Sequence, residues 1–209
     1  MESEKMKCTI VSGAPDCDLD FLSNSIDRES YIICADSGYQ HCIEADIKPD
    51  IVIGDFDSSS VPESIEFIKL PVEKDDTDTF YVVKYAIEKG FKDIKLFNAV
   101  GSRFDHTYSN VLCLMYCKKY GIKASITDRH NKLTMVDKKI VINNSVYKYF
   151  SVFAIGADVI GLNIKNAYYE LENVNLSPLD QYTQSNTFKN MDVEISFKSG
   201  NLLLVQSND

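Results

Sequence analysis

Along the first 128 positions the apolar residues fall into two alternating patterns. Short apolar runs read as strands in Cys8-Thr-Ile-Val-Ser12, Tyr31-Ile-Ile-Cys-Ala35 and Ile51-Val-Ile-Gly54, and Asp93-Ile-Lys-Leu-Phe97 and Lys123-Ala-Ser-Ile-Thr127 continue the series. Between them apolar positions recur at helical spacing, predicting helices over about 37–45, 77–89 and 105–120. In the second helix Phe80, Val83 and Ile87 share a face, Asp75 or Asp76 can cap the start, and Gly90 stops it. Gly121 ends the third in the same way. Strands alternating with helices of this length imply right-handed crossovers and a mainly parallel sheet.

Past residue 130 the helical period disappears. Lys139-Ile-Val-Ile142, Tyr149-Phe-Ser-Val-Phe-Ala154, Asp192-Val-Glu-Ile-Ser-Phe197 and Leu202-Leu-Leu-Val205 are short, β-branched or aromatic, and separated by Gly or Asn turns. Residues 192–197 alternate polar and apolar, and Ser199-Gly200-Asn201 predicts a hairpin turn. The chain therefore divides into an α/β domain over 1–128 and a small all-β domain, a sandwich or barrel, over 129–209. No internal repeat or low-complexity linker separates them.

Of the 209 residues 44% are hydrophobic and 25% charged, ample for a buried core and unlike a disordered chain. With 22 Lys and Arg against 31 Asp and Glu, the net charge is −9. That sign argues against a partner gripped through its phosphates, as in nucleic acid, and against an anionic membrane surface. An acidic protein that handles phosphates needs cations between the two negative charges. No apolar stretch reaches the length of a membrane span, and the charged start lacks the apolar core of a signal peptide, so a cytoplasmic location is expected. Cys8, Cys17, Cys34, Cys42, Cys113 and Cys117 contain no Cys-x-x-Cys pair and read as reduced core residues.

Ligands of an open parallel sheet bind beyond the carboxyl ends of its strands. Asp36 follows the second run, and Asp55 and Asp57 follow the third in Gly54-Asp-Phe-Asp-Ser58. Gly101-Ser-Arg-Phe-Asp-His106 follows the fourth, and Glu73-Lys-Asp-Asp-Thr-Asp78 opens the long helix. Four acidic loops would thus meet at one edge of the sheet. An isolated Asp after a strand is often a cap or turn former. Asp55 and Asp57, however, alternate in an extended loop and point the same way. Carboxylates so close need a proton or a cation between them, and magnesium, shared with substrate phosphates, suits all-oxygen donors. Arg103 among these acids either pairs with an aspartate or clamps a phosphate whose charge develops during transfer. Neither a P-loop nor a Gly-x-Gly-x-x-Gly occurs. His41 and His130 stand outside the acidic loops, and His106 has no evident nucleophile beside it.

Taken in order, Ala35-Asp-Ser-Gly38, Pro49-Asp-Ile-Val-Ile-Gly-Asp-Phe-Asp-Ser58, Lys74-Asp-Asp-Thr-Asp78 and Gly101-Ser-Arg-Phe-Asp-His106 resemble the thiamin pyrophosphokinase family. Gln184-Ser-Asn-Thr-Phe188 resembles that family's Ser-Asn segment, and the likeness spans about residues 35–205. It implies an α/β catalytic domain followed by a β-sandwich, and magnesium-dependent transfer of pyrophosphate from ATP to thiamin, giving thiamin diphosphate and AMP. By the same likeness Asp55, Asp57 and Asp78 hold magnesium, while Arg103, Asp105 and Thr77 position the nucleotide. Asp36, Lys74 and His106, in the same motifs, join the substrate-binding set. Tyr169 falls where the family stacks an aromatic on thiamin, with Ser185 and Asn186 lining that pocket. The likeness also implies a homodimer with thiamin between the catalytic domain of one subunit and the β domain of the other. Ser37 and Ser102 stand where the family has glycine, and Asn166-Ala-Tyr-Tyr169 departs from its Gly-Leu-Lys-aromatic pattern. Two other readings stay open: the same chemistry on another alcohol such as a pterin, and a non-catalytic binder of nucleotide or thiamin phosphate.

Overall fold

The computed structural model describes residues 7–55, 65–73, 75–101 and 103–209; Asp57, Lys74 and Ser102 lie outside the described residues. The chain forms two compact units, Met1–Arg129 and His130–Asp209.

Among the described residues of the first unit are six strands and four helices. The strands are β1 (Lys7–Val11), β2 (Tyr31–Ala35), β3 (Ile51–Gly54), β4 (Glu66–Lys69), β5 (Asp93–Phe97) and β6 (Lys123–Thr127). The helices are α1 (Leu19–Ser25), α2 (Gly38–Glu44), α3 (Asp78–Glu88) and α4 (Phe104–Lys119). The strands run in the order 4-3-2-1-5-6, and every neighbouring pair is parallel. From β1 to β4 each step moves outward in one direction, whereas β5 returns to the other side of β1. Such a reversal opens a crevice at the carboxyl ends of β1 and β5, where sheets of this class hold ligands.

Parallel strands need cover on both faces. Ile10, Val11, Ile33, Cys34, Ile51, Val52 and Ile53 are all fully buried, and burying each large aliphatic contributes about 1.5–3 kcal/mol. Val11, Ile32, Cys34, Val52 and Phe97 cluster with Leu22 and Ile26 at α1 and with Cys42 and Ala45 at α2. Helix α3 packs on β1, β2 and β3, and α4 on β6 and α3. The six cysteines are free thiols, five of them buried. Burial raises the Cys113 and Cys117 thiols to about 12 and half-buried Cys17 to about 11, which keeps them protonated and inert.

Two elements of this unit go beyond the apolar pattern. Helix α1 has only seven residues and starts at Asp18, whose Oδ1 accepts the Phe21 N–H at 2.9 Å. Strand β4 is a largely exposed four-residue edge. The cap of α3 also differs from expectation: it is Thr77, whose Oγ1 accepts the Phe80 N–H at 3.2 Å, rather than Asp75 or Asp76. Asp76 instead pairs with Lys84.

The second unit holds β7 (Asn131–Val136), β8 (Lys139–Ile142), β9 (Tyr149–Ala154), β10 (Val159–Lys165), β11 (Leu171–Leu176), β12 (Val193–Ser196) and β13 (Leu202–Ser207). Antiparallel pairing gives one layer in the order 7-13-9 and another in the order 11-10-12-8. Phe150, Val152, Leu202 and Leu204 of the first layer meet Val159, Leu162, Val193 and Ile195 of the second in one core. That is a sandwich rather than a barrel. The Ser199-Gly200-Asn201 turn is not a hairpin, because β12 and β13 belong to different layers and the turn carries the chain across the sandwich. Gly200, at φ +109, is forced there: a Cβ would come within 2.5 Å of the Asp158 carbonyl oxygen. Among the described residues no helix is long and apolar enough to cross a membrane.

Candidate active site

At the strand reversal of the first unit lies a cleft of about 340 Å³. Its walls are the Ser12–Pro15 loop after β1, the Ala35–Ser37 turn after β2, the start of α3, and the stretch from Ala99 into α4.

The turn after β2 is built by close approach. Asp36 sits at φ 44, in the left-handed region that Asp enters at lower cost than most residues. Its N–H donates to the Ile53 carbonyl at 2.9 Å. Gly54 makes this contact possible, since a Cβ there would lie 2.8 Å from the Asp36 Cα. The next residue, half-buried Asp55, follows directly from β3. Ser37 takes up space that Gly13 leaves, because a Cβ on Gly13 would meet the Ser37 Oγ at 2.0 Å.

Asp78 is the first residue of α3, half-buried, with Oδ1 closed off from solvent. The partial positive charge of a helix N-terminus favours a carboxylate at this position. One residue on, the Thr79 hydroxyl donates to the Ser12 Oγ at 3.0 Å and ties α3 to the loop after β1. Across the cleft Arg103 precedes α4 and is gripped by Asp105, from Nε to Oδ1 at 3.2 Å and from Nη2 to Oδ2 at 2.5 Å. The guanidinium holds the Asp105 carboxyl below the ordinary carboxylate range, and the carboxylate raises Arg103 in turn. Both side chains are exposed, so an incoming phosphate can compete for the guanidinium in water.

The cleft therefore gathers Asp36, Thr77, Asp78, Arg103 and His106. Asp105 stands behind Arg103, and Asp55 one residue past Gly54; neither is among the described residues that line the cleft. Tyr169, Ser185 and Asn186 form a separate group in the second unit. Buried Asn186 donates from Nδ2 to the Tyr169 carbonyl at 2.7 Å and accepts the Tyr169 N–H at 3.0 Å through Oδ1. The same Oδ1 accepts the Thr187 N–H at 2.9 Å, so the amide serves the backbone more than an open surface. Ser185, at φ 54, donates its N–H to the Ser151 Oγ at 3.0 Å. Tyr169 and Tyr168 are both largely exposed, their rings edge to face at 5.0 Å.

Four residues of the cleft region escape a search for acids. Ser12 and Thr79 form the hydroxyl pair above. Asn98 joins β5 to the loop after β1, and buried Asn110 donates to the Ala99 carbonyl at 2.7 Å. The turn-forming Ser12-Gly-Ala-Pro15 directly after the first strand is the sequence signal that points to this wall.

Among the described residues no three His, Cys, Asp or Glu side chains gather closely enough to hold a metal. Magnesium needs fewer: one or two carboxylates suffice when substrate phosphates and water complete its octahedron. The oxygen-only donors Asp78, at the cleft wall, and Asp55, directly after β3, are of the type that requirement asks for.

A parallel-sheet crevice lined by carboxylates, a guanidinium and hydroxyls, on a chain that continues into a β-sandwich, places the protein among two-domain α/β proteins with a polar ligand cleft at the strand reversal. Residues 22–126 match the thiamin pyrophosphokinase catalytic domain, and residues 137–202 match the thiamin pyrophosphokinase vitamin B1 binding domain. The chain belongs to the thiamin pyrophosphokinase family. It is similar to the thiamine pyrophosphokinase of Bacillus subtilis (strain 168), with 27% identity in an alignment that covers 96% of this chain and 98% of that protein. The crystal structure of thiamine pyrophosphokinase from Bacillus subtilis superposes with a TM-score of 0.88 at 26% identity, over 97% of this chain and 99% of that one. That of thiamin pyrophosphokinase from Geobacillus thermodenitrificans gives 0.81 at 27% identity, over 97% and 98%.

Proposed function

We propose that this family member moves the pyrophosphoryl group of ATP onto the hydroxyl of thiamin, with ATP held in the cleft of the first unit. The observation that carries the reading is the placement of Asp78, at the N-terminus of α3, and Arg103, just before α4, in the lining of one cleft. The thiamin hydroxyl oxygen attacks the β-phosphorus and releases its proton to water, the bond from that phosphorus to the α–β bridging oxygen breaks, and AMP departs with that oxygen. Arg103 exchanges Asp105 for a phosphate and neutralises charge as the leaving group forms. Thr77, Asp36, Lys74 and His106 orient the nucleotide, and Asp105 returns Arg103 to its resting position after release. Asp55, Asp57 and Asp78 would hold magnesium, which when bound draws charge from the phosphate oxygens. In the second unit the exposed Tyr169 ring offers a π-face to the thiazolium cation, beside Ser185 and Asn186. The enzyme works as a homodimer in the cytoplasm, on small molecules and not on nucleic acid or membrane.

Incubation of purified protein with ATP, magnesium and thiamin, followed by chromatography, tests this. Thiamin diphosphate with an equal amount of AMP is expected. ADP with thiamin monophosphate would overturn pyrophosphoryl transfer, and no thiamin-dependent product from folded protein would overturn the acceptor.

A further inference from the structure

We infer that Asn98 is a positioning residue for ATP: its side-chain amide ties the loops after β1 and β5 together and so sets the width of the cleft. The inference rests on the reading of that cleft as the ATP site. Asn98 is the first residue past β5, at the strand reversal, and is not among the described residues that line the cleft. Its Nδ2 donates to the Ser12 carbonyl at 3.0 Å and to the Ala14 carbonyl at 2.6 Å. In return the Ala14 N–H donates to the Asn98 carbonyl at 3.2 Å, and the Ser12 N–H to the Phe97 carbonyl at 3.0 Å. Both hydrogens of one amide are thus spent on the neighbouring loop, a task for a double donor that no carboxylate can perform. The residue sits at φ 51, a left-handed conformation that Asn tolerates and branched residues do not.

The loop so held passes the constraint on. Gly13 abuts Ser37, the neighbour of Asp36, and Asp36 in turn leans on Gly54. The Ser12 hydroxyl accepts from Thr79, the neighbour of Asp78. On the other side Ala99 is fixed to α4 through Asn110, and Arg103 stands at the start of α4. One amide therefore lies at the junction of the three segments that carry Asp36, Asp78 and Arg103. Groups that act together on a phosphate chain lose much of their effect when displaced by about 1 Å.

Two substitutions separate the donor role from mere space filling. Asn98→Gly keeps the left-handed backbone and deletes the amide. Asn98→Asp keeps the shape but turns oxygens toward two carbonyls. With ATP, magnesium and thiamin, Asn98→Gly should raise the KM for ATP about tenfold, the loss of one or two ordinary hydrogen bonds. The KM for thiamin should stay at its wild-type value. Asn98→Asp should be worse than Asn98→Gly despite its closer shape, and calorimetric ATP binding to each folded variant should follow the same order. A purely structural role would lower the active fraction and kcat while leaving both KM values unchanged. A folded Asn98→Gly protein with wild-type ATP affinity overturns the inference, as does Asn98→Asp outperforming Asn98→Gly. Failure of the wild type to bind ATP would bring down the reading of the cleft and this inference with it, whereas ATP-saturable wild type with unaffected variants removes Asn98 alone.

Discussion

In the first unit the groups assigned to chemistry sit on loops from separate parts of the chain, and each loop is braced by its neighbour. In the second unit they lie on two short facing stretches, where the Asn186 amide grips both backbone groups of Tyr169 and leaves the ring in solvent. The cleft keeps its charged side chains exchangeable, as in the exposed Arg103–Asp105 pair. The tyrosine edge keeps its backbone fixed and presents an apolar face. A multiply charged ligand whose charge shifts during reaction suits the first arrangement, and a flat cationic ring that is not itself the reacting group suits the second.

This contrast can be broken most decisively at Asp78. Asp78→Ala should lower kcat about a thousandfold, several kcal/mol of lost charge stabilisation, while thiamin binding by calorimetry stays unchanged. A variant that instead lost thiamin affinity alone would give Asp78 a docking role and blur the two regions. Tyr169→Ala should have the next largest effect, raising the KM for thiamin about tenfold and leaving that for ATP alone. Equal changes in both would make Tyr169 structural. The smallest effect is expected from Asp105→Asn, which should alter the KM for ATP only about twofold to threefold, because the pair is exposed.

The Asp105 pair also has a pH signature. Its carboxyl titrates below the ordinary aspartate value in the folded protein because the hydrogen bond from Arg103 favours the charged form. The paired state is therefore complete above that value and is lost as pH falls through the lower, folded value. Carbon NMR of the Asp105 carboxyl should give a midpoint below the ordinary aspartate value. A midpoint at or above it would mean that the pair does not hold in solution.

Much of this contrast is legible in the residue pattern. Helices α2, α3 and α4 announce themselves by spacing, α3 and α4 also by the glycine that follows each, and β1, β2 and β3 by short apolar runs. Strands β10 and β11 escape notice because Gly161 and Asn173 take left-handed φ and shift the register, which destroys the alternation a strand normally shows. Of the acids in the cleft, Asp36 stands out because it directly follows a strand and Asp78 because it opens a long helix. Their braces do not, since an asparagine looks the same whether it meets a ligand or a carbonyl. Asn186 is readable as a pocket residue yet spends its amide on Tyr169, while Asn98 does comparable work with nothing in its neighbours to mark it. Thr77 is hidden in the same way behind two adjacent acids that are equally good caps by type.

The contact between Gly54 and Asp36 sets terms for how relatives of this chain can diverge. Gly54 brings no functional atom to the cleft, yet any side chain there would strike the backbone of the turn beside it, 2.8 Å away. The group at 36 can be exchanged for another that accepts a left-handed turn, and with it the ligand preference of the loop. Position 54 has no such freedom, so variation in what the site recognises is available in few mutational steps, while variation in the spacing of its loops is not.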